Sequence, residues 1–212
     1  MQLRLVDGRA PEVLTASPVK GRPLIFHLGT PSDAVLFRPL VMEASRHKLR
    51  TVVYSRPGYA RSTAKHGRSV VDAVADVQSI LDELEADEFL TIGWSGGGPH
   101  ALACAAKLPD CCAAAVSLAS VAPYPAAGLD WMAGMGAENI EEFNLALQGE
   151  AALLPWLQEQ AGVLSHIEAA DVAAALGGLV SEVDKAALTG QFAEFIACTF
   201  PTSRSERHRR LA

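Results

Sequence analysis

The fold is decided by the stretch Phe89-Leu90-Thr91-Ile92-Gly93-Trp94-Ser95-Gly96-Gly97-Gly98-Pro99. Its first four residues form an apolar run that predicts a buried strand, and residues 99–107 are rich in alanine and predict a helix. Residues 93–97 between them fit the pattern G-x-S-x-G, in which a serine sits on a tight turn from strand to helix. Small residues two positions before and two after the serine let such a turn close without steric clashes.

Ser95 is the candidate nucleophile of this turn. The helix that begins beside it directs backbone N–H groups and the positive end of its dipole toward the position where an oxyanion would develop. The N–H of Gly96, which follows Ser95 directly, is one expected donor to that oxyanion. The alternative interpretation is a glycine-rich turn with an incidental serine. The position between a strand and a helix favours a catalytic serine.

A second pattern overlaps the first. Gly96-Gly97-Gly98-Pro99-His100-Ala101 fits G-x-G-x-x-A, a fingerprint of dinucleotide-binding folds. That fingerprint belongs after the first strand and requires an acidic residue at the end of the next strand, about 20 residues on. Here the glycines follow the fifth predicted strand, and residues 117–121 contain no acid. The sequence therefore disfavours a nicotinamide-binding domain, and the absence of G-K-[ST] excludes a phosphate-binding loop.

Five further apolar runs predict strands. They are residues 3–6 and 12–15, joined as a hairpin at Asp7-Gly8, and residues 23–27, 50–54 and 113–118. Continuous apolar runs flanked by helices are typical of parallel strands that are buried on both faces. Ser69, with Asp72 three residues later, predicts the start of a helix between two of these strands. The repetition of strand, helix and strand predicts an α/β fold with a mostly parallel sheet of about six strands.

The pattern of the sequence changes after Val121. Residues 123–136 contain two prolines and three glycines, which predicts a loop, and residues 137–200 show helical spacing without a convincing strand. Ser181 with Asp184 marks another helix start. We therefore divide the chain into an α/β core at 1–122, a helical cap at 123–200 and a polar, Arg-rich tail at 201–212.

Composition and charge exclude several classes of function. The chain has 212 residues, 50% of them hydrophobic, and a formal net charge of −6. This is enough apolar material for one core, and an acidic chain has no general affinity for nucleic acid or anionic membranes. No apolar stretch is long enough to span a membrane, and the N-terminus carries no secretory signal. The four cysteines show neither metal-ligand spacing nor a disulfide framework, so we expect a cytoplasmic protein without a metal site.

Two loops at strand ends complete the candidate site. In Phe26-His27-Leu28-Gly29-Thr30-Pro31, the backbone N–H of Thr30 is the expected second donor to an oxyanion, although these residues by themselves fit an ordinary turn. Ser55-Arg56-Pro57-Gly58-Tyr59 follows the next strand along the chain. The carboxyl ends of parallel strands meet at one edge of a sheet, so we expect this turn to shape the same edge.

The three segments together resemble the α/β-hydrolase fold family, in the branch with H-x-G-T-P, D-R-P-G-Y-G and G-W-S-G-G-G-P motifs. Their order and spacing agree with that branch, and the resemblance covers residues 1 to about 200. It implies hydrolysis of an ester, amide or related bond by Ser95. The chain departs from the branch at Ser55, which replaces the usual Asp, at Ala60, which replaces a frequent Gly, and at Leu28 before the loop glycine. These departures lie outside the nucleophile and bear on substrate preference rather than on the fold.

A serine nucleophile requires a base, and the base requires an orienting acid. The resemblance implies that the acid follows a seventh strand and the histidine an eighth, but the sequence shows no segment of either kind. None of the six histidines occupies such a position; they are His27, His47, His66, His100, His166 and His208. Asp130, after the sixth predicted strand, is the one acid in a position that some members of the family use.

We therefore expect an incomplete triad and a sheet that lacks the last two strands of the family. The basic run in residues 203–210 does not continue the helical pattern before it, which favours a truncated or frameshifted reading frame over a solvated chain end. Without further strands, residues 113–118 form an apolar edge of the sheet. Such edges pair with other chains, so we expect self-association through this strand.

Two functions remain open. The first is a serine hydrolase without metal or cofactor, in which Ser95 is the nucleophile, Gly96 and Thr30 form the oxyanion hole, and the cap shapes a pocket for a small hydrophobic substrate. Apolar cap residues suggest that pocket, although such residues are more often core; they are Trp131, Met132, Met135, Phe143 and Trp156. The second is an inactive remnant or ligand-binding module that keeps the pocket but lacks the acid and the histidine.

Overall fold

The computed structural model describes residues 3–16, 18–177 and 180–200. The chain divides into two compact units at Pro123 and Tyr124, and we describe each unit by itself. The first unit contains a sheet with helices beside it. In the second unit the described residues form helices and turns but no strand.

The sheet has five strands in the described residues, in the order β1-β3-β2-β4-β5. Strands β2 to β5 run parallel to one another, and β1 pairs with β3 in the antiparallel direction. The prediction of a mostly parallel α/β sheet is therefore confirmed. The strands are β1 (Val13–Thr15), β2 (Arg22–His27), β3 (Leu49–Tyr54), β4 (Phe89–Trp94) and β5 (Cys112–Leu118).

The prediction of a strand at residues 3–6 is wrong, and the sheet therefore has five strands in the described residues where about six were expected. The Leu5 N–H donates to the Arg9 carbonyl, and the Gly8 N–H donates to the Leu5 carbonyl, so this segment closes a local turn. The expected hairpin partner, β1, pairs with β3 instead. Leu3 and Leu5 are nevertheless buried in the core. Their alternating apolar pattern therefore reports burial of side chains and not a backbone ladder.

Three helices belong to the first unit: α1 (Arg38–Arg46), α2 (Ala73–Glu83) and α3 (Gly98–Lys107). A short 3-10 turn precedes α2, and the Asp72 carboxylate accepts hydrogen bonds from the backbone N–H and the hydroxyl of Ser69. The predicted start signal therefore acts as expected. The core lies between the sheet and the buried side of α2, where Ile25 and Val52 pack with Ile80.

Strand β5 lies at one edge of the sheet. Its side chains Val116 and Leu118 are 47% and 45% exposed. The expectation that the apolar runs are buried on both faces is therefore wrong for β5, which lies at the sheet edge and pairs with β4 alone among the described strands. It holds for β3, where Val52 and Val53 are fully buried.

The second unit contains five helices in its described residues: α4 (Ala137–Gln148), α5 (Glu150–Leu164), α6 (Val172–Ala175), α7 (Glu182–Ala187) and α8 (Gly190–Thr199). The Ser181 hydroxyl caps α7 by accepting the Asp184 N–H, as its sequence signal predicts. Whether this unit acts as a cap stays a prediction, and the Arg-rich tail at 201–212 lies outside the described residues. Among the described residues, no helix combines the length and apolar character that crossing a membrane requires.

Candidate active site

Ser95 occupies the turn between β4 and α3. Strand β4 ends at Trp94, a single 3-10 turn covers Ser95–Gly97, and α3 begins at Gly98. The backbone of Ser95 is left-handed, with φ of 53°. For a residue with a side chain this conformation costs about 1–2 kcal/mol, so the surrounding structure must hold it. Ser95 is half-buried as a residue.

Two glycines make the turn sterically possible. A Cβ atom on Gly93 would lie 2.5 Å from the Gly97 carbonyl oxygen, and a Cβ atom on Gly97 would overlap the carbonyl oxygen of His27. Both obstacles are backbone atoms, which cannot rotate away as a side chain can. The G-x-S-x-G spacing is thus required by the close approach of α3 to the ends of β4 and β2.

The loop after β2 lies directly against the turn. His27 at the end of β2 pairs with Gly93 of β4, so the loop that follows is carried toward Ser95. A Cβ atom built on Gly29 would be 3.2 Å from the Ser95 Cβ, and one built on Gly96 would be 3.5 Å from the Thr30 nitrogen. The structure therefore brings Ser95, Gly96 and Thr30 together. Their roles as nucleophile and oxyanion donors stay predictions.

Arg56 holds the loop after β2 in place, and no local pattern in the sequence indicates this contact. Its guanidinium donates to the carbonyl of Leu28, to the carbonyl of Gly29 at 2.7 Å and to the hydroxyl of Thr30 at 3.0 Å. Only 4% of Arg56 is exposed. A sequence signal existed, because this arginine comes two residues after β3, the strand that neighbours β2. A local turn at Pro57-Gly58 is nevertheless a sufficient explanation of this segment, so the sequence does not indicate that Arg56 makes long-range contacts.

Ser55, which replaces the aspartate usual in the branch, fixes the far side of the loop. Its hydroxyl accepts the Ala34 N–H at 2.8 Å and donates to the Glu12 carboxylate at 3.0 Å. The Ser62 hydroxyl donates to the Ser55 carbonyl at 2.6 Å. A carboxylate thus still serves this position, but it comes from Glu12 through the Ser55 hydroxyl.

Two buried histidines lie behind the turn. His27 is fully buried, with its Nδ1 3.4 Å from the Tyr54 hydroxyl, and burial lowers its pKa to about 3. His100 on α3 places its Nδ1 3.1 Å from the Gly96 carbonyl, and burial, followed by the charge of Arg56, lowers its pKa to about 4. Both imidazoles are therefore neutral at pH 7. The Nδ1 atom of His100 must carry the proton, because a carbonyl can only accept.

A base and an acid are not assembled at Ser95 in the described part of the chain. None of the described histidines is hydrogen-bonded to Ser95; His47, His66 and His166 are exposed, and His208 lies outside the described residues. Asp130 is an exposed loop residue of the second unit. Its role as the acid stays a prediction. No cluster of His, Cys, Asp and Glu able to hold a metal ion occurs among the described residues.

Comparison with known proteins agrees with this architecture. A family model described as the alpha/beta hydrolase fold matches residues 22–160. That range contains the β2 loop, Arg56, Ser95 and most of the first unit. No curated protein sequence matches the chain.

Solved structures resemble the chain at low sequence identity. A carboxylesterase from the thaumarchaeon Nitrososphaera gargenis is 18% identical with a TM-score of 0.59, over 94% of this chain and 67% of that one. An epoxide hydrolase from Vigna radiata is 17% identical with a TM-score of 0.56, over 78% of this chain and 52% of that one. A thermophilic esterase from Thermogutta terrifontis is 19% identical with a TM-score of 0.51, over 59% of this chain and 47% of that one. At these identities the likeness shows the fold, and the chain spans only about half to two thirds of these relatives.

Proposed function

Because the chain belongs to the alpha/beta hydrolase fold family, we propose that it is a serine hydrolase that cleaves an ester, amide or related bond through Ser95. One observation carries the proposal: Ser95 has a left-handed backbone, with φ of 53°, at the turn between β4 and α3. That backbone is held against the β2 loop, where the Thr30 nitrogen lies beside Gly96. Strained residues of this kind cluster at active sites, where the surrounding structure holds them in place.

The chemistry follows from this arrangement. The Ser95 Oγ attacks the carbonyl carbon of the substrate, and its proton passes to a general base as the tetrahedral intermediate forms. The N–H groups of Gly96 and Thr30 donate to the oxyanion, which develops beside the N-terminus of α3. Collapse of the intermediate expels an alcohol or amine, which takes up the proton. The acyl group left on Ser95 is then hydrolysed by water.

The general base is the element that the described residues do not supply. In serine proteases, removal of a triad member lowers turnover by roughly 10⁴- to 10⁶-fold, whereas the oxyanion hole and binding retain roughly 10³- to 10⁴-fold over water. We therefore propose slow turnover for this chain by itself. The substrate class that we propose is a small ester with a hydrophobic group.

A second candidate is a ligand-binding module or inactive remnant that no longer performs chemistry. The observation that favours it is that Ser95 has no hydrogen bond to any described histidine. Such a protein would bind a short-chain ester and gain thermal stability without turning it over. The two candidates share the same fold and differ in the reactivity of one hydroxyl.

Reaction with a fluorophosphonate probe tests the proposal. We expect mass spectrometry to locate one phosphonyl group on Ser95 of the wild type and none in Ser95→Ala. Ser79→Ala is the matched control, because Ser79 is a half-buried serine of α2 whose hydroxyl donates to the Ala75 carbonyl. It should label as the wild type does. If the wild type is not labelled, or if Ser95→Ala labels equally, the hydrolase proposal is wrong. Thermal stabilisation by a 4-nitrophenyl ester without its hydrolysis would then support the binding module.

A further inference from the structure

We propose that Arg56 is a positioning residue that orients the Thr30 N–H for the oxyanion, an inference that rests on the proposed function. The observation is the set of three acceptors that its guanidinium binds, which are the carbonyls of Leu28 and Gly29 and the hydroxyl of Thr30. All three belong to the loop between β2 and α1. Arg56 is the second residue after β3, and β3 pairs with β2, so the sheet brings the two loops close together.

The geometry of the peptide group links the Gly29 carbonyl to the Thr30 N–H. These two groups belong to one planar peptide unit, in which the C=O and the N–H point in opposite directions. Arg56 binds the Gly29 oxygen at 2.7 Å and therefore fixes the direction of that carbonyl. The Thr30 N–H must then point away from Arg56. The Thr30 nitrogen lies beside Gly96, so both expected donors are held on the Ser95 side of the loop.

Without this contact the peptide would have freedom to rotate. Glycine tolerates more backbone conformations than other residues, so the peptide after Gly29 is less restricted than one between two residues with side chains. A rotated peptide would turn its carbonyl oxygen toward Ser95, where an oxyanion would be repelled instead of bound. The contact of Arg56 with the Thr30 hydroxyl at 3.0 Å restrains the second residue of this peptide as well. Arg56 therefore restrains the peptide on both of its sides.

No carboxylate of the described residues forms an ion pair with Arg56. Its acceptors are two carbonyls and a hydroxyl, and among the ion pairs of the described residues none contains Arg56. The Tyr59 ring lies 5.3 Å from the guanidinium carbon, a cation–π distance. A buried and unneutralised guanidinium beside the loop adds a fixed positive potential to the site. Such preorganised charge stabilises a developing anion more strongly than mobile charge in water does.

Arg50 provides a matched control for this role. Arg50 lies on β3, six residues before Arg56. It also donates to a backbone carbonyl, that of Val19 at 3.0 Å, and to a threonine hydroxyl, that of Thr15 at 3.2 Å. Its acceptors are remote from the loop after β2. Replacement of either arginine by lysine keeps the charge and removes the planar fork that binds two acceptors at once. Only the Arg56 replacement should alter the chemistry of Ser95.

The experiment compares the kinetics of fluorophosphonate labelling in the wild type, Arg56→Lys, Arg56→Met and Arg50→Lys. The loss of one oriented oxyanion donor lowers rates by about 10²- to 10³-fold, so we expect the maximal labelling rate to fall about 100-fold in Arg56→Met. In Arg56→Lys we expect a fall of about 10-fold, with the probe concentration for half-maximal rate unchanged in both variants. Arg50→Lys should stay within twofold of the wild type. Folded Arg56 variants that label at the wild-type rate would overturn the inference.

Hydrogen–deuterium exchange separates this inference from the proposed function. The exchange rate is measured for residues 28–34 in variants that also carry Ser95→Ala, so that the result does not depend on whether Ser95 reacts. We expect this segment to exchange about 10-fold faster in Arg56→Lys than in Arg50→Lys, because the loop loses its clamp. Equal exchange in the two variants would overturn the role of Arg56 even if Arg56→Met does not fold. A wild type that is not labelled, together with faster loop exchange in Arg56→Lys, would overturn the hydrolase proposal and leave only the clamp.

Discussion

Strands β3 and β5 both carry apolar side chains, valine among them, but they differ in what surrounds them. Val52 and Val53 of β3 are fully buried, whereas Val116 of β5 is 47% exposed. Among the strands that the structure describes, β3 has a neighbour on each side, whereas β5 has one neighbour, β4. The difference shows that apolar sequence creates the potential for burial, while the neighbours of a strand decide whether burial occurs. We therefore expect the stability of the first unit to reside in its central strands.

The residues of the candidate site are likewise associated with the inner strands of the sheet and not with the edge strand β5. Its parts begin where central strands end, with Thr30 after β2, Arg56 after β3 and Ser95 after β4. The glycine contacts and the Arg56 hydrogen bonds fix these three loops against one another. None of these contacts uses the exposed Val116 side chain of β5. A perturbation of the centre should therefore alter both stability and chemistry, whereas truncation of an exposed β5 side chain should leave both nearly unchanged.

Acidification is the largest perturbation that we predict for the centre. Burial lowers the folded-state pKa of His27 to about 3 and of His100 to about 4, from 6.5 in the unfolded chain. Below pH 6.5 the unfolded chain binds protons that the folded chain excludes, so the free energy of unfolding falls as the pH decreases. At pH 5 each histidine contributes a loss of about 2 kcal/mol, or about 4 kcal/mol together. Urea denaturation at pH 7 and pH 5 measures this loss.

A histidine substitution identifies the source of this loss. His100→Gln should remove about half of the difference between pH 7 and pH 5, because one of the two buried groups no longer titrates. His47→Gln, at an exposed position of the same unit, should leave the difference as it is in the wild type. If the wild type and His100→Gln lose the same stability, the buried histidines are not the cause.

Truncation of one valine compares the two strands directly. Val52→Ala removes two methyl groups from a fully buried side chain, so we expect it to destabilise the first unit by about 2 kcal/mol. Val116→Ala removes the same atoms from a side chain that is 47% exposed, and we expect a loss below about 0.5 kcal/mol. Urea denaturation at pH 7 measures both values. Equal losses would show that β5 is covered in solution and that the contrast between the strands is wrong.

The sequence predicted the elements whose signals are local. The apolar runs located β2 to β5, Ser69 with Asp72 located the start of the helical segment at α2, and the glycine spacing located the turn at Ser95. The hairpin at residues 3–6 failed because the alternation of Leu3 and Leu5 reports buried side chains, whereas the partner of a strand is chosen by the rest of the sheet.

The parts of the site that sequence could not predict depend on distant contacts. Arg56 binds carbonyls that lie 27 and 28 positions earlier in the chain, and Ser55 binds Glu12 from 43 positions away. No local pattern encodes such pairs, since any turn arginine or serine has the same short-range context. The motif predicted which loops meet, because parallel strands end at one edge. It could not predict which side chains would hold those loops in place.

Self-association through β5 is the smallest effect that we predict, and it tests the exposed side of the comparison. The strand Cys112–Leu118 contains no charged residue and no proline, the features by which natural edge strands avoid pairing. Two copies can pair β5 in the antiparallel direction about a two-fold axis, and each then satisfies the free backbone groups of the other.

We expect sedimentation velocity at tens of micromolar to show a dimer that dissociates on dilution. Val116→Lys should weaken the dimer by placing like charges close together at the interface. Val6→Lys adds the same charge at an exposed valine in the turn before β1 and should not weaken it. A wild type that stays monomeric, or a Val116→Lys variant that associates as strongly as Val6→Lys, would show that β5 is not an interface.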